Sequence, residues 1–225
     1  MKLDPIQLSL ALIFDMDGVI VDSNSVHREA WSRFNLRYGI ETTDEMIERM
    51  YGRRNDEIVR DFFGPDLSEE EAVERGKAKE SLYREMIADR VEEMLVPGLR
   101  TFLNRHHGEL PMAVASNAES ENVNFLLDRA GLTGYFDAVV DGSQVANPKP
   151  HPDVYLLAAE RLGVRPKDCV VFEDSHSGAA AGVAAGMQVI GLRTTYVNLP
   201  DVVLSIDNFL SGDLESWLQA QIRRA

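Results

Sequence analysis

Apolar and polar positions fall into blocks along this chain. Five short runs are apolar almost throughout: residues 8–14 (LSLALIF), 111–116 (PMAVAS), 136–140 (FDAVV), 169–172 (CVVF) and 188–192 (QVIGL). Runs of this length without a polar face fit parallel strands buried on both sides. Between them, residues 119–130, 152–162 and 177–185 carry apolar positions at helical spacing, and Gly131, Gly163 and Gly186 follow as stop signals. This alternation predicts an α/β fold built on a doubly wound parallel sheet.

One long segment breaks the alternation. From about residue 25 to 93 no strand pattern is visible. Val26, Ala30, Trp31, Phe34 and Tyr38 recur at helical spacing, and Gly64-Pro65 interrupts the chain. Ser68 and Glu71 then form a capping-box pair for a long helix expected to reach about residue 93. The pattern predicts a helical insertion over residues 23–93 and a discontinuous core of residues 1–22 and 94–225.

The ends of three apolar runs carry the chemistry. Asp15 and Asp17 close the first, in FDMDGVIVDS; Ser116 and Asn117 close the second; Glu173 and Asp174 follow CVVF. In an open parallel sheet ligands bind beyond the carboxyl ends of the strands, so the three clusters are expected to converge. Four carboxylates in one place repel unless something neutralises them. A hard divalent cation does so, and Mg²⁺ suits a few carboxylates, waters and a substrate phosphate. Lys149, stiffened between prolines in NPKPHPD, offers a second positive charge. Phosphoryl transfer needs charge neutralisation and in-line placement. An Asp can be the nucleophile, and a second carboxyl can move the proton.

Composition narrows the partners. A formal net charge of −14 disfavours nucleic acid and anionic membranes, but not a small anionic substrate in a local positive pocket. Lys2 precedes the run at 8–14, yet DMDG follows it where a secretion signal would have a small-residue cleavage site. No apolar run reaches the length of a membrane span. The single cysteine, Cys169, lies in an apolar run and reads as an inert core thiol. A cytoplasmic protein, monomeric or weakly dimeric, is expected.

These residues resemble the haloacid dehalogenase-like superfamily. FDMDGVIVDS is similar to its first motif, VASNA to its second, NPKPHPDVY to its third and VVFEDSHSGAAAGVAAG to its fourth, in the family's order. The segment 23–93 resembles the helical cap of the branch that holds phosphoglycolate phosphatase, other sugar-phosphate phosphatases and β-phosphoglucomutase. The resemblance implies roles. Asp15 would be nucleophile and Mg²⁺ ligand. Asp17 would be general acid and base, with its carbonyl on the metal. Ser116, the Asn117 backbone and Lys149 would hold phosphate. Asp174 would ligate Mg²⁺, and Glu173 would do so directly or through water.

The resemblance leaves two activities open, a phosphatase and a phosphomutase. His27 falls ten residues after Asp17 and Trp31 four further on, as in β-phosphoglucomutase, although both also suit ordinary helix packing. Against the mutase, Asn55 in YGRRNDEIV stands where that enzyme has an Arg for the second phosphate, leaving Arg53 and Arg54 as substitutes. Ala118, Glu119 and Ser120 also bring less positive charge than the mutase has there. Hydrolysis of a small phosphorylated metabolite, such as a sugar phosphate, is therefore expected. A phosphate-receiving signalling module shares the α/β plan, but its acidic pair and phosphorylated Asp lie on separate strands.

Overall fold

The structure is a computed structural model and describes residues 10–51 and 53–223. Six parallel strands form one sheet: β1 (Ala11–Phe14), β2 (Met112–Ala115), β3 (Ala138–Val140), β4 (Cys169–Glu173), β5 (Gln188–Leu192) and β6 (Leu204–Ile206), in the order β3-β2-β1-β4-β5-β6. Alternate residues of β1 serve different layers. Leu12 and Phe14 join one apolar cluster, Ala11 and Ile13 the other. This is why Ala11–Phe14 has no polar position: a strand covered on both faces has none to give. On the first face Phe14 stacks on Phe172, with ring centroids 4.8 Å apart. The second face is lined by smaller residues such as Ala113 and Ala115, which let α7 (Asp153–Leu162) and α8 (His176–Ala184) lie close.

The helical segment between β1 and β2 contains α1 (Asn24–Leu36), α2 (Asp44–Met50), α3 (Asn55–Phe63) and α4 (Glu69–Ile87), followed by α5 (Leu99–His106). The Ser68–Glu71 capping box forms as expected, each residue accepting the other's backbone N–H at 3.2 Å. Trp31, Phe34, Ile58 and Phe62 belong to an apolar cluster of this segment's own. Val26, Ala30, Tyr83 and Ile87, from the other sides of α1 and α4, join the first sheet-face cluster, so the segment sits on the sheet domain. Its two connections run side by side. Asp22 N–H donates to the Met94 carbonyl at 2.8 Å and Val96 N–H to that of Ile20 at 3.1 Å.

Several boundaries move. The helix expected to reach residue 93 ends at Ile87, and turns carry the chain to Leu95. The strand read at 136–140 begins at Ala138. The other expected helices appear as α1, α6 (Ser120–Arg129), α7 and α8, and Gly131, Gly163 and Gly186 take positive φ just after three of them. Leu8 and Ser9, read as strand, lie outside the described residues. Three elements have no counterpart in the sequence reading: α5, β6 and α9 (Gly212–Ile222). Among the described residues no helix is long and apolar enough to cross a membrane.

The chain winds from β1 outward through β2 and β3, then returns to β4 on the other side of β1. The crevice beyond β1 and β4 is therefore the topological switch point, where ligands of such sheets bind.

Candidate active site

The carboxyl ends of β1 and β4 are in register, with Phe14 beside Phe172, so Asp15 and Glu173 emerge together. Lys149 reaches them from the loop after β3. Its Nζ donates to Asp15 Oδ1 at 2.7 Å, Glu173 Oε1 at 2.7 Å and the Ala115 carbonyl at 3.1 Å. Its backbone N–H donates to Asn117 Oδ1 at 3.1 Å, fixing the loop to the end of β2. Burial opposes charge on the ammonium, but Asp15 and Glu173 outweigh it and raise the Lys149 pKa. For Asp15 the balance differs: burial, helped by Glu173 and Asp17, exceeds the pull of Lys149 and lifts the carboxyl to about 7.

Glu173 is saturated. Its Oε1 accepts from Lys149 and from the Tyr155 hydroxyl at 2.8 Å. Its Oε2 accepts from the N–H groups of Asp174 and Ser175 at 2.9 and 3.0 Å and from the Ser175 hydroxyl at 2.9 Å. A carboxylate has about four lone-pair sites, so these donors leave little for a metal. Lys149 and these donors hold its pKa low despite burial. Asp174 has weaker support, from Asn24 Nδ2 at 3.2 Å and the Thr195 hydroxyl. Burial, Glu173 and Asp15 push its carboxyl well above the usual range. Glycine is required around this pair. A Cβ on Gly18, whose φ is +77°, would lie 1.8 Å from Asp174 Oδ2, and one on Gly178 would lie 1.6 Å from Glu173 Oε1.

Asp15, Glu173 and Asp174 can each bring one oxygen within 4.8 Å of the others'. Three buried acids with one ammonium among them carry excess negative charge. Oxygen donors in that balance fit a hard divalent cation.

Asp17 is held from the helical segment. Its Oδ1 accepts from Ser23 Oγ at 2.5 Å and from His27 Nε2 at 3.2 Å. His27 Nδ1 lies 2.8 Å from Lys79 Nζ. An ammonium only donates, so Nδ1 accepts and the ring proton sits on Nε2, aimed at Asp17. Burial pushes the Asp17 carboxyl up, but His27, Ser23 and Lys79 outweigh it and hold it below the usual carboxylate range. The network continues: Lys79 donates to Glu80 Oε1 at 2.8 Å, and Asn122 Nδ2 on α6 donates to Glu80 Oε2 at 2.5 Å.

Asp15, Asp17, His27, Trp31, Arg53, Arg54, Ser116, Asn117, Lys149, Glu173 and Asp174, the candidate site residues of the sequence, all line one cavity of about 280 Å³ between the helical segment and the sheet. Ser116 is buried, and its hydroxyl accepts the Ala118 N–H at 3.1 Å. Trp31 is 1% exposed and makes edge contacts with Phe34 and Phe62, so it is a core residue that reaches the cavity wall. The two arginines are already engaged. Arg53 pairs with Glu57 at 3.3 Å and Asp61 at 3.0 Å. Arg54 donates to the carbonyls of Gly142 at 2.6 Å and Val145 at 2.9 Å, tying the helical segment to the loop after β3. Sequence reasoning missed Asn24, Lys79, Glu80, Asn122, Tyr155 and Thr195, and it noted Glu119 only for its lack of positive charge. Lys79 and Glu80, 1% and 2% exposed, lie within a charged helix whose sequence gives no sign that these two face inward.

Comparison with known proteins shows the family. Residues 10–186 match the model of the haloacid dehalogenase-like hydrolase family. The chain is 37% identical over 183 residues to fructose-1-phosphate phosphatase YqaB of Escherichia coli, covering 81% of this chain and 95% of that one. It is 32% identical over 224 residues to the β-phosphoglucomutase of Bacillus subtilis, covering 96% and 98%. The crystal structure of β-phosphoglucomutase from Clostridium difficile superposes with a TM-score of 0.83 at 28% identity, covering 95% and 97%.

Proposed function

The chain belongs to the haloacid dehalogenase-like hydrolase family, and on that premise we propose that it is a Mg²⁺-dependent phosphatase of a small sugar phosphate. Asp15 attacks phosphorus as the bond to the sugar oxygen breaks, and Asp17 gives that oxygen a proton, which it must first take up from solvent because His27, Ser23 and Lys79 keep it ionised in the free site. Water then attacks the aspartyl-phosphate, Asp17 takes a proton from it, and the bond to Asp15 breaks to release inorganic phosphate. Ser116, the Asn117 backbone and Lys149 bind the phosphoryl oxygens. Asp15, Asp174 and the Asp17 carbonyl would hold the metal ion, which when bound neutralises the carboxylates and polarises the phosphate. Glu173, with its lone pairs taken, anchors Lys149 and at most reaches the ion through water. The helices over residues 23–93 act as a cap that covers the cavity and chooses the substrate. A reducing cytoplasm and a monomer or weak dimer fit this reading.

One observation carries hydrolase over mutase. A mutase must grip a second phosphate, and each cationic side chain lining the cavity already has partners: Arg53, Arg54, Lys79 and Lys149. The residue at the expected clamp position, Asn55, is neutral. The mutase reading keeps two points in its favour: the His27–Asp17 contact between the helical segment and the strand end, and the likeness to β-phosphoglucomutases over nearly the whole chain.

Asp17→Asn should lose about 10²–10⁴-fold in kcat/KM on a sugar phosphate. The loss should be much smaller on p-nitrophenyl phosphate, whose leaving group needs little protonation. Equal losses on both would remove Asp17 from the acid role. Asp174→Ala should raise the Mg²⁺ concentration needed for half-maximal activity, with partial recovery at high Mg²⁺. An unchanged Mg²⁺ titration would place the metal elsewhere.

A further inference from the structure

Where α3, α4 and α6 line the cavity, it has a chemistry of its own. Glu119 opens α6 at the N-cap position, where Ser, Thr, Asp and Asn are favoured because their side chains cap the first turn. Glu119 makes no such cap; its backbone carbonyl accepts the Asn122 and Val123 N–H groups, and its side chain lines the cavity. There it meets Asn55, whose Nδ2 lies 3.5 Å from Glu119 Oε1. That distance is the limit of a hydrogen bond, so most of the carboxylate's acceptor capacity is unfilled. Gly76 on α4 makes room for this arrangement: a Cβ there would sit 3.2 Å from Asn55 Cβ. Burial and the nearby Glu80 raise the Glu119 carboxyl above its ordinary pKa, as expected for an acid short of donors. Glu80 itself is satisfied by Lys79 and Asn122.

We propose that Glu119 is the specificity-determining residue of this cavity: it accepts a hydroxyl from the uncharged end of the substrate and repels a second anionic group there. The proposal rests on the phosphatase reading and adds a substrate class to it, polyhydroxylated monophosphates rather than bisphosphates or phosphorylated acids. Asn55 contributes an amide donor to the same hydroxyl end. A polyol gives Glu119 the donors it lacks, whereas a phosphate or carboxylate brings like charge to a half-buried acid.

The test measures phosphate release from fructose 1-phosphate and fructose 1,6-bisphosphate, which differ by one phosphate at the far end, with p-nitrophenyl phosphate as a third substrate. The readout is the ratio of kcat/KM for the monophosphate to that for the bisphosphate. The parent should favour the monophosphate. Glu119→Gln should lower the ratio about tenfold and Glu119→Lys should lower it further, because like-charge repulsion is removed and then reversed. Asn55→Asp adds an acid on the opposite wall and should raise the ratio. A ratio that moves less than threefold in both Glu119 variants, or a parent that prefers the bisphosphate, overturns the assignment while leaving the phosphatase intact. A parent that releases phosphate from none of the three compounds contradicts the phosphatase reading and this proposal with it.

Discussion

Asp15→Asn is expected to abolish turnover and to leave the protein at least as resistant to unfolding as its parent. The amide is a poor nucleophile, and loss of a residue that forms the covalent bond should cost at least about 10⁴-fold in kcat. The stability expectation has a separate cause. In the folded chain Asp15 is buried beside Glu173, and its carboxyl is raised from 3.8 to about 7. An acid whose folded pKa exceeds its unfolded one favours the folded state when protonated, and that contribution is lost as pH rises through the folded value. Near pH 8 and without added Mg²⁺, the ionised carboxylate is therefore a cost that asparagine removes. Lys149 keeps Glu173 and the Ala115 carbonyl as partners. Turnover within tenfold of the parent would remove Asp15 from the nucleophile role. A large fall in melting temperature would mean that its pairing with Lys149 outweighs the burial cost.

Lys149→Ala should do the opposite to stability. It removes the one ammonium held among Asp15 and Glu173, both buried. Breaking a buried pair by deleting one partner typically costs about 3–5 kcal/mol, because the other charge stays buried without compensation. At this chain length that corresponds to a fall of about 6–20 °C in melting temperature. The deficit should shrink as pH is lowered, since protonated carboxyls no longer need the ammonium, and grow as pH rises above about 7, where Asp15 ionises. Thermal unfolding of the two variants between pH 5 and 8 checks both signs, with no Mg²⁺ present. A Lys149→Ala protein that melts with its parent at pH 8 would contradict the electrostatic account of the site.

The parts of this molecule legible in its sequence are those with a local cause. β1, β2 and β4 are buried on both faces, so each had to be written as a continuous apolar run. Asp15, Asp17, Glu173 and Asp174 were legible because acids at strand ends are out of place unless something holds them. β6 was not legible: it has three residues at the sheet edge, two of them only half-buried, and edges tolerate polar positions such as Ser205. The Lys79–Glu80 pair, and the direction of the Glu119 side chain, escaped for another reason. A charge within a helix, or at its start, looks the same in sequence whether it faces water or a cavity. Its direction is decided by the packing of α1, α4 and α6 against one another, which no single segment encodes. Asn24 and Thr195 meet at Asp174 from opposite ends of the chain.

The central claim is that the phosphoryl group on Asp15 goes to water and not back to a sugar. The measurement that tests it most directly is an incubation with Mg²⁺ and β-glucose 1-phosphate, with and without glucose 1,6-bisphosphate, following inorganic phosphate and glucose 6-phosphate together. A clamp that holds a second phosphate by a charge-assisted contact contributes about 1.5–3 kcal/mol, enough to shift partitioning tenfold or more. With Asn55 at the clamp position and Arg53 and Arg54 engaged elsewhere, phosphate should accumulate steadily without the bisphosphate. Glucose 6-phosphate should remain a minor product. Rapid isomerisation stimulated by the bisphosphate, with negligible phosphate release, would contradict the account and identify Arg54, released from the Gly142 and Val145 carbonyls, as the clamp.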